Sequence, residues 1–263
     1  MDKIRKLESI LKEMGSVLIA YSGGADSTFL LKVAKDSLEN NVLAVTADSP
    51  TYQKQELEFS KKMAKELGVR HKVIKTSELK DKRFIGNPVD RCYFCKSELF
   101  RRLKRLAREN NLNFVVDASN VTDKSDYRPG SIAKGELSVR SPFQEAGFTK
   151  EDIRYFSRKL GLKTWDKPAL ACLASRIPYG KKIHSTVLKR INQAEELLRG
   201  MGFNQVRLRH YDGLCRIEVA NEEIPFFVKR RDLVVDKLKK MGYNYITLDL
   251  EGYRTGSMNE VIK

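Results

Sequence analysis

Apolar and charged positions alternate at helical spacing along the N-terminal stretch, which predicts an amphipathic helix over about residues 2 to 14. The continuous apolar run Ser16-Val17-Leu18-Ile19-Ala20-Tyr21 then reads as a buried strand. Ser22-Gly23-Gly24-Ala25-Asp26-Ser27 follows as a turn that opens directly into a helix at Thr28-Phe29-Leu30-Leu31. The alternation continues with a strand at Val42-Leu43-Ala44-Val45, a helix over about 53–67 and a strand at His71-Lys72-Val73-Ile74. A helix over about 94–110 and a strand at Phe114-Val115-Val116 complete it. This order predicts an α/β fold: a doubly wound, mainly parallel sheet with ligands at the carboxyl ends of its strands.

From about 140 to 180 the pattern becomes irregular, with Pro142, Pro168 and Pro178 punctuating one helix at about 150–160. Loops carrying this much specific polarity often line sites. Beyond Lys181 the chain predicts a helix near 185–200, strands near 205–209 and 216–220, a helix near 222–240 and a strand at 245–250. The expected organisation is a main domain over 1–180 and a smaller α+β C-terminal domain over 181–263.

Composition adds constraints. The 263 residues, 41% hydrophobic and 32% charged, are enough to bury a sizeable core. No apolar run approaches the ~20 residues of a membrane-spanning helix, and the N-terminus lacks a signal-like core, so a cytoplasmic location without membrane contact is expected. Fifty Lys and Arg against 34 Asp and Glu leave a charge of +16, which favours nucleotides, phosphorylated metabolites or RNA as partners.

A strand ending in Ser-Gly-Gly-x-Asp-Ser at a helix start presents backbone N–H groups and hydroxyls to an anion, with the positive end of the helix dipole behind them. Neither GxxxxGK[ST] nor a well-placed GxGxxG occurs, so a Walker ATPase and a dinucleotide-binding Rossmann domain are both unsupported. The segment Ser22 to Ser27 resembles the signature loop of the PP-loop ATP pyrophosphatases, which transfer AMP from ATP to a substrate oxygen. That resemblance implies pyrophosphate contacts from Ser22, Gly23, Gly24 and Ser27, and a role for Asp26 in positioning Mg2+. Asp117-Ala118-Ser119-Asn120-Val121-Thr122-Asp123 is similar to the superfamily's GTNxxD stretch, with Asn120 and Asp123 at the matching positions. Asp48 and Ser49 stand where such proteins hold the adenosine.

Cys92-Tyr93-Phe94-Cys95 precedes or opens a basic helix, where the dipole, Arg91 and Lys96 favour thiolate. Cys172 lies 77 positions beyond Cys95. A CxxC with one remote cysteine offers three soft ligands, which suits a catalytic iron–sulfur cluster or catalytic zinc with an open position; unligated thiols are the plain alternative. Cys215 falls in a strand of the second domain and reads as a core residue. His71, His184 and His210 form no ligand pattern.

Further stretches resemble the LarE family of ATP-dependent sulfur transferases: Asp126 to Gly130, Ser141-Pro142-Phe143, Phe148 to Arg154, Trp165 to Ala169, Ala171 to Gly180 and Gly252 to Asn259. Such membership implies a sulfur insertase acting on pyridinium-3,5-biscarboxylic acid mononucleotide for the nickel-pincer cofactor of lactate racemase. Arg128, Arg176 and Arg209 are then anion partners of this phosphate-bearing substrate, and a homo-oligomer is implied. In some members the cysteine matching Cys172 is itself the sulfur donor. The added CxxC resembles instead the three-cysteine members, which implies a [4Fe-4S] cluster on Cys92, Cys95 and Cys172, with catalysis by Cys172 and Asp26. The resemblance also implies Glu195, Glu196 and Glu218 as candidate metal or substrate contacts, although Glu195 and Glu196, adjacent acids on a helix, read as solvated.

Other classes compete. A tRNA-thiolating PP-loop enzyme also combines ATP, cysteines and a basic surface, and Arg101, Arg102, Lys104, Arg105 and Arg108 could track an RNA backbone. A nucleotide- or cluster-binding regulator without turnover, and an amidotransferase-type ligase, complete the alternatives. The source of the sulfide is left open.

Overall fold

The computed structural model describes residues 2–125, 129–168, 171–254 and 256–262. The chain divides into two compact units, one of residues 1–81 with 90–170, the other of residues 82–89 with 171–263. The second unit therefore starts about ten residues before the boundary read from the sequence and takes in a short upstream segment.

The first unit begins with α1 (Asp2–Met14), which buries Leu7, Ile10, Leu11 and Met14. It continues through β1 (Val17–Ala20), α2 (Ala25–Leu38), β2 (Val42–Asp48), α3 (Lys54–Glu66) and β3 (Arg70–Lys75). In the second unit, α4 (Lys82–Ile85) lies in the upstream segment. The chain then returns to the first unit with α5 (Arg91–Glu109), β4 (Phe114–Val116), α6 (Gly130–Glu136), α7 (Pro142–Ala146) and α8 (Lys150–Lys159). The strands pair in the order β3-β2-β1-β4, all parallel. Residues Val17 and Ile19 join the core beneath α1, α2, α7 and α8, whereas Leu18 joins the core beneath α5. Alternate residues of β1 are thus covered on both faces, as a parallel sheet requires. Strand order reverses between β1 and β4, and the crevice beyond their carboxyl ends is where such sheets bind ligands.

The second unit contains α9 (Ser185–Gly200), β5 (Val206–Tyr211), β6 (Leu214–Val219), α10 (Ile224–Lys229), α11 (Arg231–Lys240) and β7 (Tyr245–Leu248). β5 and β6 form an antiparallel pair through Asp212-Gly213, with Asp212 at φ 53°, and β7 pairs parallel to β6. Its upstream segment is anchored by Asn87, fully buried at φ 55°, whose Nδ2 donates to the carbonyls of Ile177 at 3.2 Å and Pro178 at 2.7 Å. The single helix expected over 222–240 is a short 3-10 turn followed by α10 and α11, which break at Arg230. Pro225 in the first turn of α10 fits its start. No glycine or proline marks the break. Among the described residues no helix is long and apolar enough to cross a membrane.

Candidate active site

β1 runs into buried Tyr21 and then the Ser22-Gly23-Gly24 turn, and Gly24 caps α2. Gly23 sits at φ 73°, and a Cβ there would lie 3.0 Å from Ser60 Cβ of α3. Both the left-handed backbone and the close approach require glycine. The first intrahelical bond of α2 runs from Thr28 N–H to the Gly24 carbonyl at 3.0 Å, which leaves the N–H groups of residues 25 to 27 outside the helical ladder. Ser27 Oγ lies 3.1 Å from Ser22 Oγ, and Gly24 N–H donates to Ser22 Oγ at 3.3 Å. The loop is a cradle of donors whose hydroxyls hold one another at long, exchangeable distances.

Asp26, in the first turn of α2, is held from two sides. Asn120 Nδ2 donates to its Oδ2 at 3.1 Å, and Lys150 is ion-paired with its Oδ1. Asn120 is buried and closes a reciprocal turn with Asp123: Asn120 N–H donates to Asp123 Oδ2 at 3.0 Å, and Asp123 N–H to Asn120 Oδ1 at 3.2 Å. Gln144 Nε2 fixes the Asn120 carbonyl at 3.0 Å. One residue past β4, Asp117 accepts from the hydroxyls of Ser119 at 2.6 Å and Ser141 at 2.5 Å, with Lys134 on Ser141 at 2.8 Å. The loop after β4 is therefore held by its own polar side chains together with Ser141 and Gln144, and reaches the first turn of α2 through Asn120.

At the end of β2, Ser49 is buried and its hydroxyl is engaged: it donates to Glu78 and accepts from Thr51 N–H at 3.0 Å. Thr51 Oγ1 also donates to Glu78, at 3.0 Å. Glu78, 2% exposed, thus folds the loop that follows Asp48. A second lysine, Lys167, reaches the Gly23 carbonyl at 3.3 Å.

Sequence reasoning gave Lys150, Lys167 and Glu78 no role. Lys150 carried a signal, because it follows the cap Thr149 in a helix first turn, where acidic residues are the favoured choice. Lys167 and Glu78 act across long sequence separations and carry no local signal.

The cysteines lie in both units. Cys92 and Cys95 rise from the first two turns of α5, Cys92 exposed and Cys95 half-buried. Gly130, at the start of α6, packs here: a Cβ on it would lie 2.9 Å from Lys96 Cγ and 3.5 Å from the Cys92 carbonyl. Half-buried Cys172 caps a 3-10 turn over Leu173–Arg176 in the second unit. Three thiols are soft donors of the kind an iron–sulfur cluster takes, and residues three apart share a helix face, so the Cys92/Cys95 pair fits two positions of such a group. Among the described residues no group of three or more His, Cys, Asp or Glu side chains gathers to hold a metal ion. Cys215 is buried in β6, and burial pushes its thiol up to about 12.

The turn bearing Cys172 is held by arginines. Arg176, 2% exposed, donates to the carbonyls of Ala171 at 2.7 Å and Cys172 at 3.2 Å, and its other nitrogens grip Glu195 at 2.8 and 3.1 Å. Arg209, 1% exposed, donates to the Ser175 carbonyl at 2.7 Å, to Glu218 at 2.7 and 3.3 Å and to Ser257 Oγ at 2.6 Å. Glu195 is fully buried on α9, which corrects the expectation of a solvated acid. Burial pushes its carboxyl up, but Arg176, the Leu208 N–H and Arg199 outweigh this and hold it below the usual carboxylate range. Arg128 lies outside the described residues.

Residues 16–87 match the family described as queuosine biosynthesis protein QueC. An uncharacterized protein of Synechocystis is 44% identical over 262 residues, covering 99% of this chain and 98% of its own. The pyridinium-3,5-bisthiocarboxylic acid mononucleotide synthase of Lactiplantibacillus plantarum is 37% identical over 257 residues, 97% of this chain and 93% of its own. The 7-cyano-7-deazaguanine synthase of Persephonella marina is 32% identical over 139 residues, 51% of this chain and 59% of its own.

Proposed function

Because the chain belongs to the LarE family of PP-loop ATP-dependent sulfur transferases, we propose that it converts a carboxylate of pyridinium-3,5-biscarboxylic acid mononucleotide into a thiocarboxylate. The observation that carries this reading is the donor cradle at the β1/β4 switch point, in a chain that matches a synthase of the corresponding bisthiocarboxylate over 97% of its length.

A substrate carboxylate oxygen attacks the α-phosphorus of ATP, the bond to pyrophosphate breaks, and an acyl adenylate forms. A sulfur nucleophile then attacks the acyl carbon and AMP leaves. The loop serves the first step. Ser22, Gly23, Gly24 and Ser27 take the β and γ phosphates, with the N–H groups opening α2 behind them. Asp26 would hold Mg2+ in place of Lys150, whose ammonium would then turn to the triphosphate, with Asn120, itself braced by Asp123, keeping Asp26 in place. Asp48 and Ser49, in the loop held by Glu78, provide the backbone on which the adenosine lies.

Arg128 would meet the anionic substrate directly, whereas Arg176 and Arg209, buried with all their nitrogens engaged, serve it through their charge and by shaping the turn that carries Cys172. Glu195 is shared by Arg176 and Arg199, and Glu218 by Arg207, Arg209 and Arg216. Five arginines on two glutamates leave positive charge near the turn that carries Cys172, with Asp249 a further acid on Arg216. This supports a polyanionic substrate.

For the sulfur step, Cys92, Cys95 and Cys172 would hold a [4Fe-4S] cluster, which when bound offers an iron without a protein ligand to carry exchangeable sulfide. The CxxC turn and the exposure of Cys92 support this reading; in the alternative, Cys172 gives up its own sulfur. ATP–pyrophosphate exchange that depends on the biscarboxylate mononucleotide, with thiocarboxylate identified by mass, tests the function; no exchange overturns it. Iron, sulfide and zinc are then measured in protein purified without oxygen. About four irons per chain, lost in Cys92→Ser, support the cluster. Metal-free active protein overturns it and returns Cys172 to the role of donor.

A further inference from the structure

One face of α3 forms the back wall of the phosphate loop. Glu56, Phe59 and Ser60 lie on it at helical spacing, with Ser60 against Gly23. Lys167 arrives on this wall from far along the chain. Its Nζ stands 2.7 Å from Glu56 Oε2, 3.6 Å from the centre of the Phe59 ring and 3.3 Å from the Gly23 carbonyl oxygen, with its side chain 16% exposed.

A trans peptide is planar, so the Gly23 carbonyl and the Gly24 N–H point in opposite directions. A loop that binds phosphate must turn its N–H groups inward, and a carbonyl oxygen facing the phosphates would repel them. Gly23, at φ 73°, has the conformational freedom to present either side of this peptide. Lys167 gives the carbonyl a charged partner on the α3 side, which leaves the Gly24 N–H aimed into the cradle. There it meets Ser22 Oγ at 3.3 Å, a long bond that a phosphate oxygen can replace. Because Glu56 already neutralises the ammonium, Lys167 acts as a hydrogen-bond donor to the loop rather than as a free cation for the nucleotide.

We infer that Lys167 is a positioning residue of the adenylation site: by holding the Gly23 carbonyl it sets the direction of the Gly24 N–H and so the grip on the pyrophosphate portion of ATP. The inference rests on the ATP-dependent reading above. It predicts a selective defect, since AMP has no β or γ phosphate to feel the loss.

The test is calorimetric titration of the full-length protein with Mg·ATP and, separately, with AMP. In Lys167→Met, ATP affinity is expected to fall at least tenfold while AMP affinity stays within about twofold, one charge-assisted hydrogen bond being worth about that much. Lys167→Gln retains an N–H donor without the charge and is expected to keep more ATP affinity than the Met variant. Wild-type protein that does not bind ATP overturns the adenylation reading and this inference with it. Wild type that binds ATP beside a folded Met variant that binds it equally well overturns the inference alone, as does equal loss of ATP and AMP. Should the Met variant fail to fold by circular dichroism, the Gln variant decides: parallel loss of both ligands refutes, selective loss of ATP supports.

Discussion

Replacing Glu195 by glutamine isolates the buried charge network beneath Cys172, and its neighbour Glu196 supplies a built-in control. Glu195 is fully buried and accepts from Arg176 at 2.8 and 3.1 Å, Arg199 at 2.9 Å and the Leu208 N–H at 3.1 Å. Every one of these contacts needs an acceptor. A glutamine offers one acceptor oxygen and sets its NH2 group against an arginine donor on the other side, in either flip. Arg176, itself 2% exposed, is left without a counter-charge, and breaking a buried pair from one side costs about 3–5 kcal/mol. For a chain of this size that corresponds to a fall in Tm on the order of 10 °C. Glu196, one residue on, is half-buried and accepts from Asn192 at 3.0 Å within the same helix, so Glu196→Gln should move Tm by about 1–2 °C at most.

Thermal unfolding of the three proteins, followed by circular dichroism from pH 7.5 downward, measures both the size and the cause. Glu195 is held below its unfolded carboxylate pKa, so its stabilisation is complete above that pKa and is lost as pH falls through the folded value. The gap between wild type and Glu195→Gln should therefore close in acid. ATP binding, assigned to residues of the first unit, should survive in the variant while sulfur transfer falls. Equal Tm values for the two glutamine variants, or a gap that persists in acid, would refute the charge argument.

Three further outcomes follow from the geometry. Gly23→Ala combines a left-handed cost of about 1–2 kcal/mol with a Cβ pressed against Ser60, and should abolish exchange; Gly68→Ala, at φ 64° with nothing within 4 Å, carries the backbone cost alone and should leave exchange intact. Glu78→Ala, which removes the carboxylate that folds the Ser49–Thr51 loop, should raise the KM for ATP and weaken AMP binding alike by about tenfold, in contrast to the selective defect at Lys167. Burial lowers the pKa of His71 and His210, so each stabilises the fold fully above the unfolded value near 6.5 and less as pH drops below it. Tm should decline between pH 7 and pH 5, and the decline should be shallower in His210→Gln.

The sheet of the first unit was legible because its signals are local. An all-apolar β1 followed at once by Ser22-Gly23-Gly24 and an amphipathic helix admits few other readings, and alternating cores on Val17, Leu18 and Ile19 are what such a strand must build. What the sequence hides is the partner at long range. Asp26 meets Lys150 across 124 positions and Gly23 meets Lys167 across 144, so no window of periodicity contains either pair. Glu195 and Glu196 look alike in the sequence, and they part company because α9 turns one of them toward Arg176. Segment 82–89 joins the second unit through Asn87, whose bonds go to backbone carbonyls about 90 positions away and therefore leave no trace in side-chain pattern.

The bonds within the loop also bear on how ATP is accepted. Nearly every group assigned to the nucleotide already has a protein partner: Ser22 with Ser27 and the Gly24 N–H, Asp26 with Asn120 and Lys150. Binding on the proposed reading is then an exchange of partners rather than the filling of an open charge. Lys150 leaves Asp26 for phosphate, and the carboxylate so released faces the incoming triphosphate unless a divalent cation takes it. Free ATP must either repel Asp26 or leave Lys150 where it is, and both forfeit a charge-assisted contact. Mg·ATP satisfies both groups at once. On the proposed reading the Asp26–Lys150 pair would thus make the loop selective for the metal complex over the bare nucleotide, through the same side-chain pairing that joins the two residues in the free protein.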